Sequence, residues 1–288
     1  MGGIAWLLFR PFPFTGPSMP SSSGTAFRTR SPLVTSVGSG MMRRTLAGSR
    51  SAEECGDQEM IRAMAIPDPG PDAEREAEAR QLRLRDQLDL TNHITSTPNL
   101  VAGLDVSYAT DSDRVVAAAV VIDLATMETV DTALVDGEVT VPYVPGLLAF
   151  REVPILVDAL SRLTAQPELL VCDGYGIAHP RRFGLASHLG VVTGIPSFGV
   201  AKTPFRGTFA EPGPRRGDYQ PLIDDGETLG RVLRTQNAVK PVFVSVGHRI
   251  DLDTATDLTL RLCTQFRLPE TTRRADHMSR ARLNGRNP

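Results

Sequence analysis

Three acids of this chain stand where acids are costly. Asp105 lies within the apolar run LVAGLDVSY, Leu100–Tyr108. Asp173 ends the apolar run Leu169–Cys172. Glu152 falls in the nearly all-round apolar stretch Leu147–Leu163, one turn after Leu148 and one turn before Leu156. A carboxylate withdrawn from water must be paired, neutralised or bound to a cation. Taken singly, each has an ordinary explanation. A strand-end Asp caps the turn that follows it, and a helical Glu reaches solvent at the helix end. Three such acids on three separate elements point to a shared divalent cation. Hard oxygen donors without a Cys or His cluster favour Mg2+ or Mn2+ over zinc.

Other chemistries lack their signatures. Cys55, Cys172 and Cys263 form no C-x-x-C pair, so neither a disulfide framework nor a zinc site is expected, and a reducing, cytoplasmic setting suits them. His179 and His188 are nine residues apart, unlike the two-histidine helical zinc motif. The segment Gly194–Gly199, GIPSFG, is one residue too long for a nucleophile elbow. The phosphate-cradling pattern Gly-x-x-x-x-Gly-Lys of an NTPase is missing. No apolar run approaches membrane-spanning length, so no membrane association is expected.

The formal net charge of -2 conceals a polar distribution. Residues 51–180 hold 8 Lys and Arg against 23 Asp and Glu, whereas residues 181–288 hold 17 against 10. An acidic half can gather cations while a basic half meets phosphates, although two solvated surfaces explain the same numbers.

The elements that must position these residues follow from periodicity and breakers. Residues 1–65 lack a helical or strand pattern where they are richest in Gly, Ser, Pro and Arg, and read as a disordered leader or as an upstream extension, with Met41, Met42 and Met60 as alternative starts. A catalytic domain is expected over 66–280 and a flexible tail over 281–288. Within the domain, Asp72–Leu88 is expected to be helical. Strands are expected at Leu100–Tyr108, Val115–Asp123 and Glu128–Val139, joined by short polar turns as antiparallel hairpins. Leu147–Leu163 is a buried helix, kinked at Pro154 or beginning there. Leu169–Cys172 is a short central strand. Phe183–Val192 is a helix, Pro196–Ala201 a strand and Gly207–Gly226 a loop. Strands at Leu229–Thr235 and Val242–Val246 and a helix at Asp251–Phe266 complete the pattern, and the segment after Pro269 is basic and irregular. A meander followed by alternating helices and strands describes an α/β mixed sheet with helices on its faces.

Several ordered blocks make the chain resemble the endonuclease V family of deoxyinosine-specific endonucleases. They are AGLDVSY (Ala102–Tyr108), PYVPGLLAFRE (Pro142–Glu152), DGYGIAHPRRFGLASHLG (Asp173–Gly190), GVAKT (Gly199–Thr203), GHR (Gly247–Arg249) and RLPETTRRAD (Arg267–Asp276). The resemblance runs from about Gln81 to Asp276. It implies a ribonuclease H-like fold, a central mixed sheet with its first three strands antiparallel and helices on both faces. The family's metal-binding acids fall on Asp105, Glu152 and Asp173, the residues singled out above. His248 matches an active-site histidine, Lys202 a lysine near the reacting phosphate, and Tyr143 the aromatic of a wedge that enters the duplex at the lesion. Tyr175 occupies a variable position between the two glycines of Asp173–Gly176.

The activity implied is Mg2+-dependent hydrolysis of the second phosphodiester bond 3′ to deoxyinosine, leaving 3′-hydroxyl and 5′-phosphate ends, with Mn2+ able to substitute. Asp105 and Asp173 are the expected principal ligands, with Glu152 completing the site and Lys202 stabilising charge on the phosphate. His248 is left three roles: metal ligand, water-orienting group or proton donor to the leaving oxygen. Hypoxanthine must leave the base stack to be read. Pro142, Tyr143 and Gly146 are expected on the wedge, and Gly174 and Gly176 where backbone approaches the ligand. His179 is expected either to shape the pocket or to contact DNA, and Arg181 to meet phosphate or neighbouring acids. The expected partner is inosine-containing DNA, with a monomer and no obligate protein partner. An inosine-directed ribonuclease and a non-catalytic inosine-binding module are the alternatives.

Overall fold

The computed structural model describes residues 72–139 and 141–286; the leader over 1–65 lies outside the described residues. Helix α1 (Ala73–Arg85) precedes the strands β1 (Leu100–Tyr108), β2 (Arg114–Asp123) and β3 (Thr129–Glu138). Helix α2 (Ala149–Ser161), strand β4 (Leu169–Cys172), helix α3 (Leu185–Thr193) and strand β5 (Ser197–Ala201) follow. The chain continues with β6 (Tyr219–Asp224), β7 (Glu227–Leu233), β8 (Val242–His248), α4 (Leu252–Leu262) and α5 (Glu270–Leu283).

One eight-stranded sheet runs in the order β3-β2-β1-β4-β5-β8-β7-β6. Strands β1 to β3 form an antiparallel meander. Strands β1, β4 and β5 are parallel neighbours, and β8 returns antiparallel beside β5. This is the mixed, ribonuclease H-like arrangement. Side chains alternate across the strands, so each face has its own core. On one face Val101, Val171, Phe198 and Val244 pack with Leu258 and Leu262 of α4 and Ala275 of α5. On the other, Ala102, Leu104, Leu170 and Cys172 pack with Leu156 and Leu160 of α2 and Leu189 of α3. Strand β2, RVVAAAVVID, is buried from Val115 to Ile122 because helices cover both of its faces.

Two expectations need correction, and one pair of alternatives is decided: Pro154 lies inside α2 rather than in its first turn. The stretch 207–226 contains the edge strand β6, YQPLID, which pairs along its length with β7 and meets Thr208 in an isolated bridge at Ile223. Its polar exposed side and Pro221, tolerable at an edge, hide it from periodicity. The segment after Pro269 is the helix α5, which runs on to Leu283 across the expected start of the tail. Its buried stripe is Thr271, Thr272, Ala275 and Ser279, small residues that leave no apolar period to read. Among the described residues, no helix is long and apolar enough to cross a membrane.

Candidate active site

Strand register brings the first two acids together. Leu104 and Cys172 are the last paired residues of β1 and β4, and Asp105 and Asp173 are the next on each. Their Cα atoms therefore lie about 5 Å apart, the spacing of neighbouring strands. Glu152 arrives from α2, against the other face, and is buried. The Tyr108 hydroxyl donates to Glu152 Oε1 at 2.9 Å and orients it.

The acids feel one another. Burial pushes the Asp105 carboxyl up to about 6, and the charges of Asp173 and Asp276 add to that push against a hydrogen bond from Ser279. Burial pushes Glu152 up to about 8, opposed by the Tyr108 hydrogen bond and reinforced by Asp105 and Asp173. The Cys172 thiol is raised by burial, then by Glu152 and Asp173. Three carboxylates therefore share a poorly solvated patch at the C-terminal ends of two parallel strands.

Lys202 follows β5, and its ammonium donates to Asp173 Oδ2. Arg267 holds the backbone there, donating to the carbonyls of Lys202 and Pro241 at 2.7 Å each. Asp276, the last residue of RLPETTRRAD, lies on α5. It is close enough to raise Asp105, and it carries the motif's last acid to the cluster. Four arginines among Arg273–Arg282 mask it in the sequence, where no apolar surroundings set it apart. Ser279, one turn further, donates to Asp105 Oδ2 at 2.8 Å. Its proton being committed there, Ser107 Oγ is the donor in the 2.7 Å contact between the two serines.

His248 is not brought to this cluster. It pairs with Ser197 at the start of β5, whereas Lys202 follows the end of that strand, five residues or about 16 Å away. Its Nδ1 accepts from the Asp89 backbone N–H at 3.2 Å. Antiparallel pairing of β8 with β5 carries the GHR block to the opposite end of the sheet, where none of the three proposed roles is within reach.

The donor set fits a hard divalent cation in its chemistry: three carboxylate ligands brought together, two of them, Asp105 and Glu152, with proton affinity raised by burial. As their side chains stand, no three acids among the described residues converge to hold an ion. Asp173 is turned to Lys202, Glu152 to Tyr108 and Asp105 to Ser279, each by a hydrogen bond that a cation would compete with.

A cleft of about 530 Å³ adjoins Glu152, lined among others by Tyr108, Ser112, Tyr143, Leu148 and Arg151. Tyr143 is 60% exposed on the loop between β3 and α2, beside the exposed Pro142 and Pro145. The Arg151 guanidinium lies 4.9 Å from the Tyr108 ring centre and 5.8 Å from that of Tyr143, bridging loop and acid site.

The glycine-rich block is tied closely to its own neighbours. A Cβ on Gly176 would fall 1.9 Å from the Val246 carbonyl oxygen, so close packing on β8 demands that glycine, before any ligand does. A Cβ on Gly174 would meet only Leu185, at an ordinary 3.6 Å. Arg181 meets acids: its Nη1 donates to Glu78 at 2.6 Å. Arg182 is likewise committed, to Asp224 and Glu227. His179 Nδ1 accepts from the Arg181 N–H at 3.2 Å, which leaves Nε2 as the donor to the Gly146 carbonyl at 3.1 Å. Burial and the Arg181 charge pull its pKa down to about 4, so the ring is neutral and structural at pH 7. Phe205, unremarked in the sequence, stands half-exposed with its ring centre 5.4 Å from those of both Tyr175 and His179. A lone aromatic in a Pro/Gly-rich loop carries no signal of that kind.

The Endonuclease V family model matches residues 82–277. An endonuclease V of Streptomyces avermitilis is 55% identical over 220 residues, covering 76% of this chain and 96% of that protein. The crystal structure of the catalytic domain of human endonuclease V superposes with a TM-score of 0.71 at 35% identity, covering 75% of this chain and 98% of that one. An endonuclease V of Ciona intestinalis, crystallised with a 24mer DNA containing an inosine followed by a ribo-adenosine, superposes with a TM-score of 0.65 at 28% identity over 74% of this chain and 99% of that one. With the family model matched over most of its length, this chain belongs to the endonuclease V family.

Proposed function

We propose that this nuclease hydrolyses the second phosphodiester bond 3′ to deoxyinosine in DNA, leaving 3′-hydroxyl and 5′-phosphate ends. The observation that carries the reading is the meeting of Asp105, Glu152 and Asp173, two of them with strongly raised proton affinity, beside the ammonium of Lys202. The inosine-containing DNA bound by the Ciona intestinalis relative supports the choice of lesion.

Asp105 and Asp173 would hold a Mg2+ ion, with Glu152 and Asp276 completing its surroundings. Such an ion supplies positive charge at the scissile phosphate and makes water a better nucleophile at neutral pH. The chain's own residues do the rest. Lys202, which leaves Asp173 free as it turns, places its ammonium on a phosphate oxygen where charge grows. Tyr108 and Ser279 hold the Glu152 and Asp105 carboxylates by hydrogen bonds that a bound cation would share or replace. Tyr143, exposed on a loop stiffened by Pro142 and Pro145, fills the space the extruded base leaves.

The test is an end-labelled duplex carrying one deoxyinosine, incubated with Mg2+ or EDTA and mapped against a sequence ladder. A Mg2+-dependent nick at the second bond 3′ to the lesion supports the reading. Cleavage that survives EDTA, or falls at another bond, overturns it. A matched inosine RNA run alongside decides substrate class, and faster cleavage of the RNA overturns the preference for DNA.

A further inference from the structure

We propose that helix α1 positions the Tyr143 loop through Gln81, which makes Gln81 a positioning residue for lesion recognition; the inference rests on the inosine-endonuclease reading above. Gln81 and Glu78 precede the stretch matched by the family model.

The loop from Pro142 to Gly146 projects Tyr143 into solvent and has little apolar anchorage of its own, apart from Val144 against Ala77, Leu147 and Phe150. Its closing residue, Gly146, has φ +86, a conformation other residues adopt only under strain. The Gly146 carbonyl oxygen is the loop's fixed point. It accepts from Gln81 Nε2 at 3.1 Å, from His179 Nε2 at 3.1 Å and from Arg181 Nη2 at 2.9 Å. Three donors on one oxygen leave it little freedom to move.

Gln81 ties the other members together. Its Oε1 accepts from Arg181 Nε, and its Nε2 also donates to the Phe183 carbonyl at 2.6 Å. Glu78, one turn earlier on α1, takes the remaining end of Arg181 at 2.6 Å. Gln81 is fully buried, between Ala77 and Leu84 on the stripe that α1 turns inward. A buried amide with both ends occupied is costly to misplace. The strut thus runs from α1 through the glycine-rich block to the base of the loop, and it fixes where Tyr143 stands relative to the acids.

A double-mutant cycle on the full chain tests this. Gln81→Met keeps length and bulk but removes both hydrogen-bonding ends. It is combined with Tyr143→Ala, and kcat and KM are measured for nicking of the deoxyinosine duplex. The expected result is a KM raised roughly tenfold by Gln81→Met with kcat within about twofold, and almost no further rise when Tyr143 is already Ala. An undiminished penalty in the Tyr143→Ala background, or a KM that does not change, overturns the inference, because a merely structural glutamine acts regardless of Tyr143. Thermal unfolding verifies that Gln81→Met folds. If it does not, Glu78→Gln, which loosens Arg181 from the half-exposed end of the strut, carries the same cycle with a smaller expected rise. The unmodified protein separates the two claims. If it nicks inosine DNA and the cycle is additive, the positioning role alone falls; if it does not nick, the functional reading falls and this inference with it.

Discussion

Replacing Glu152 with Gln removes the acid whose charge is hardest to bury, and the effect can be worked out from the structure. The Glu152 carboxyl is held at about 8, well above its ordinary 4.5, by burial and by Asp105 and Asp173. A raised carboxylate pKa means that the folded protein binds a proton the unfolded chain has lost. Stability is therefore greatest below about 4.5 and falls as pH rises to about 8. Two histidines oppose this trend at lower pH. His179 and His248 are pulled from 6.5 to about 4 by burial, so they contribute stability that grows between those values and is complete above 6.5. Asp105 passes its own midpoint near 6. Because Asp105 and both histidines are still titrating near 6.5, the difference between wild type and Glu152→Gln across the window from 6.5 to 8 is what isolates Glu152. Each pH unit there costs about 1.4 kcal/mol, and the whole window about 2 kcal/mol, which corresponds to a fall of roughly 4–8 °C in Tm for a domain of this size. The assay is thermal unfolding in EDTA across the window, comparing the wild type with Glu152→Gln. The glutamine can still accept from Tyr108, so the variant should fold, melt higher at pH 8 and lose the slope. Adding Mg2+ should flatten the wild-type curve, because a cation stabilises the ionised acid. Parallel melting curves for the two proteins in EDTA would refute the argument that Glu152 is held protonated.

Asp105→Asn and Asp173→Asn should each reduce nicking by at least about a thousandfold while melting within a few degrees of wild type, since they remove ligand charge; activity within tenfold of wild type in either would exclude it from the site. Lys202→Ala should lower kcat by about a hundredfold to a thousandfold with little change in KM, and Lys202→Arg should recover part of that loss. An effect confined to KM would instead make Lys202 a ground-state contact. Asp276→Asn should reduce cleavage by raising the Mg2+ concentration needed for half-maximal rate, as read from a metal titration; an unchanged titration would leave Asp276 outside the cation's reach. Gly176→Ala should lower Tm sharply, because its methyl group would overlap the Val246 carbonyl, and a Tm equal to wild type would contradict the packing described.

The chain's local order was largely written in its sequence. The run LVAGLDVSY is β1 residue for residue, short polar turns mark the meander, continuous apolar runs locate β4 and α2, and a period of 3.6 locates α4. Asp105, Glu152 and Asp173 could be picked out because an acid inside an apolar run contrasts with its neighbours. Where that contrast is missing the sequence is silent. Asp276 stands among arginines, Gln81 looks like any polar residue of a charged helix, and α5 buries threonine, alanine and serine. Only the tertiary structure decided which residues meet. Parallel register of β1 with β4 sets Asp105 beside Asp173, and antiparallel register of β8 with β5 carries His248 away from them. Strand direction is a property of the sheet as a whole, settled by which faces bury together, and no single segment encodes it.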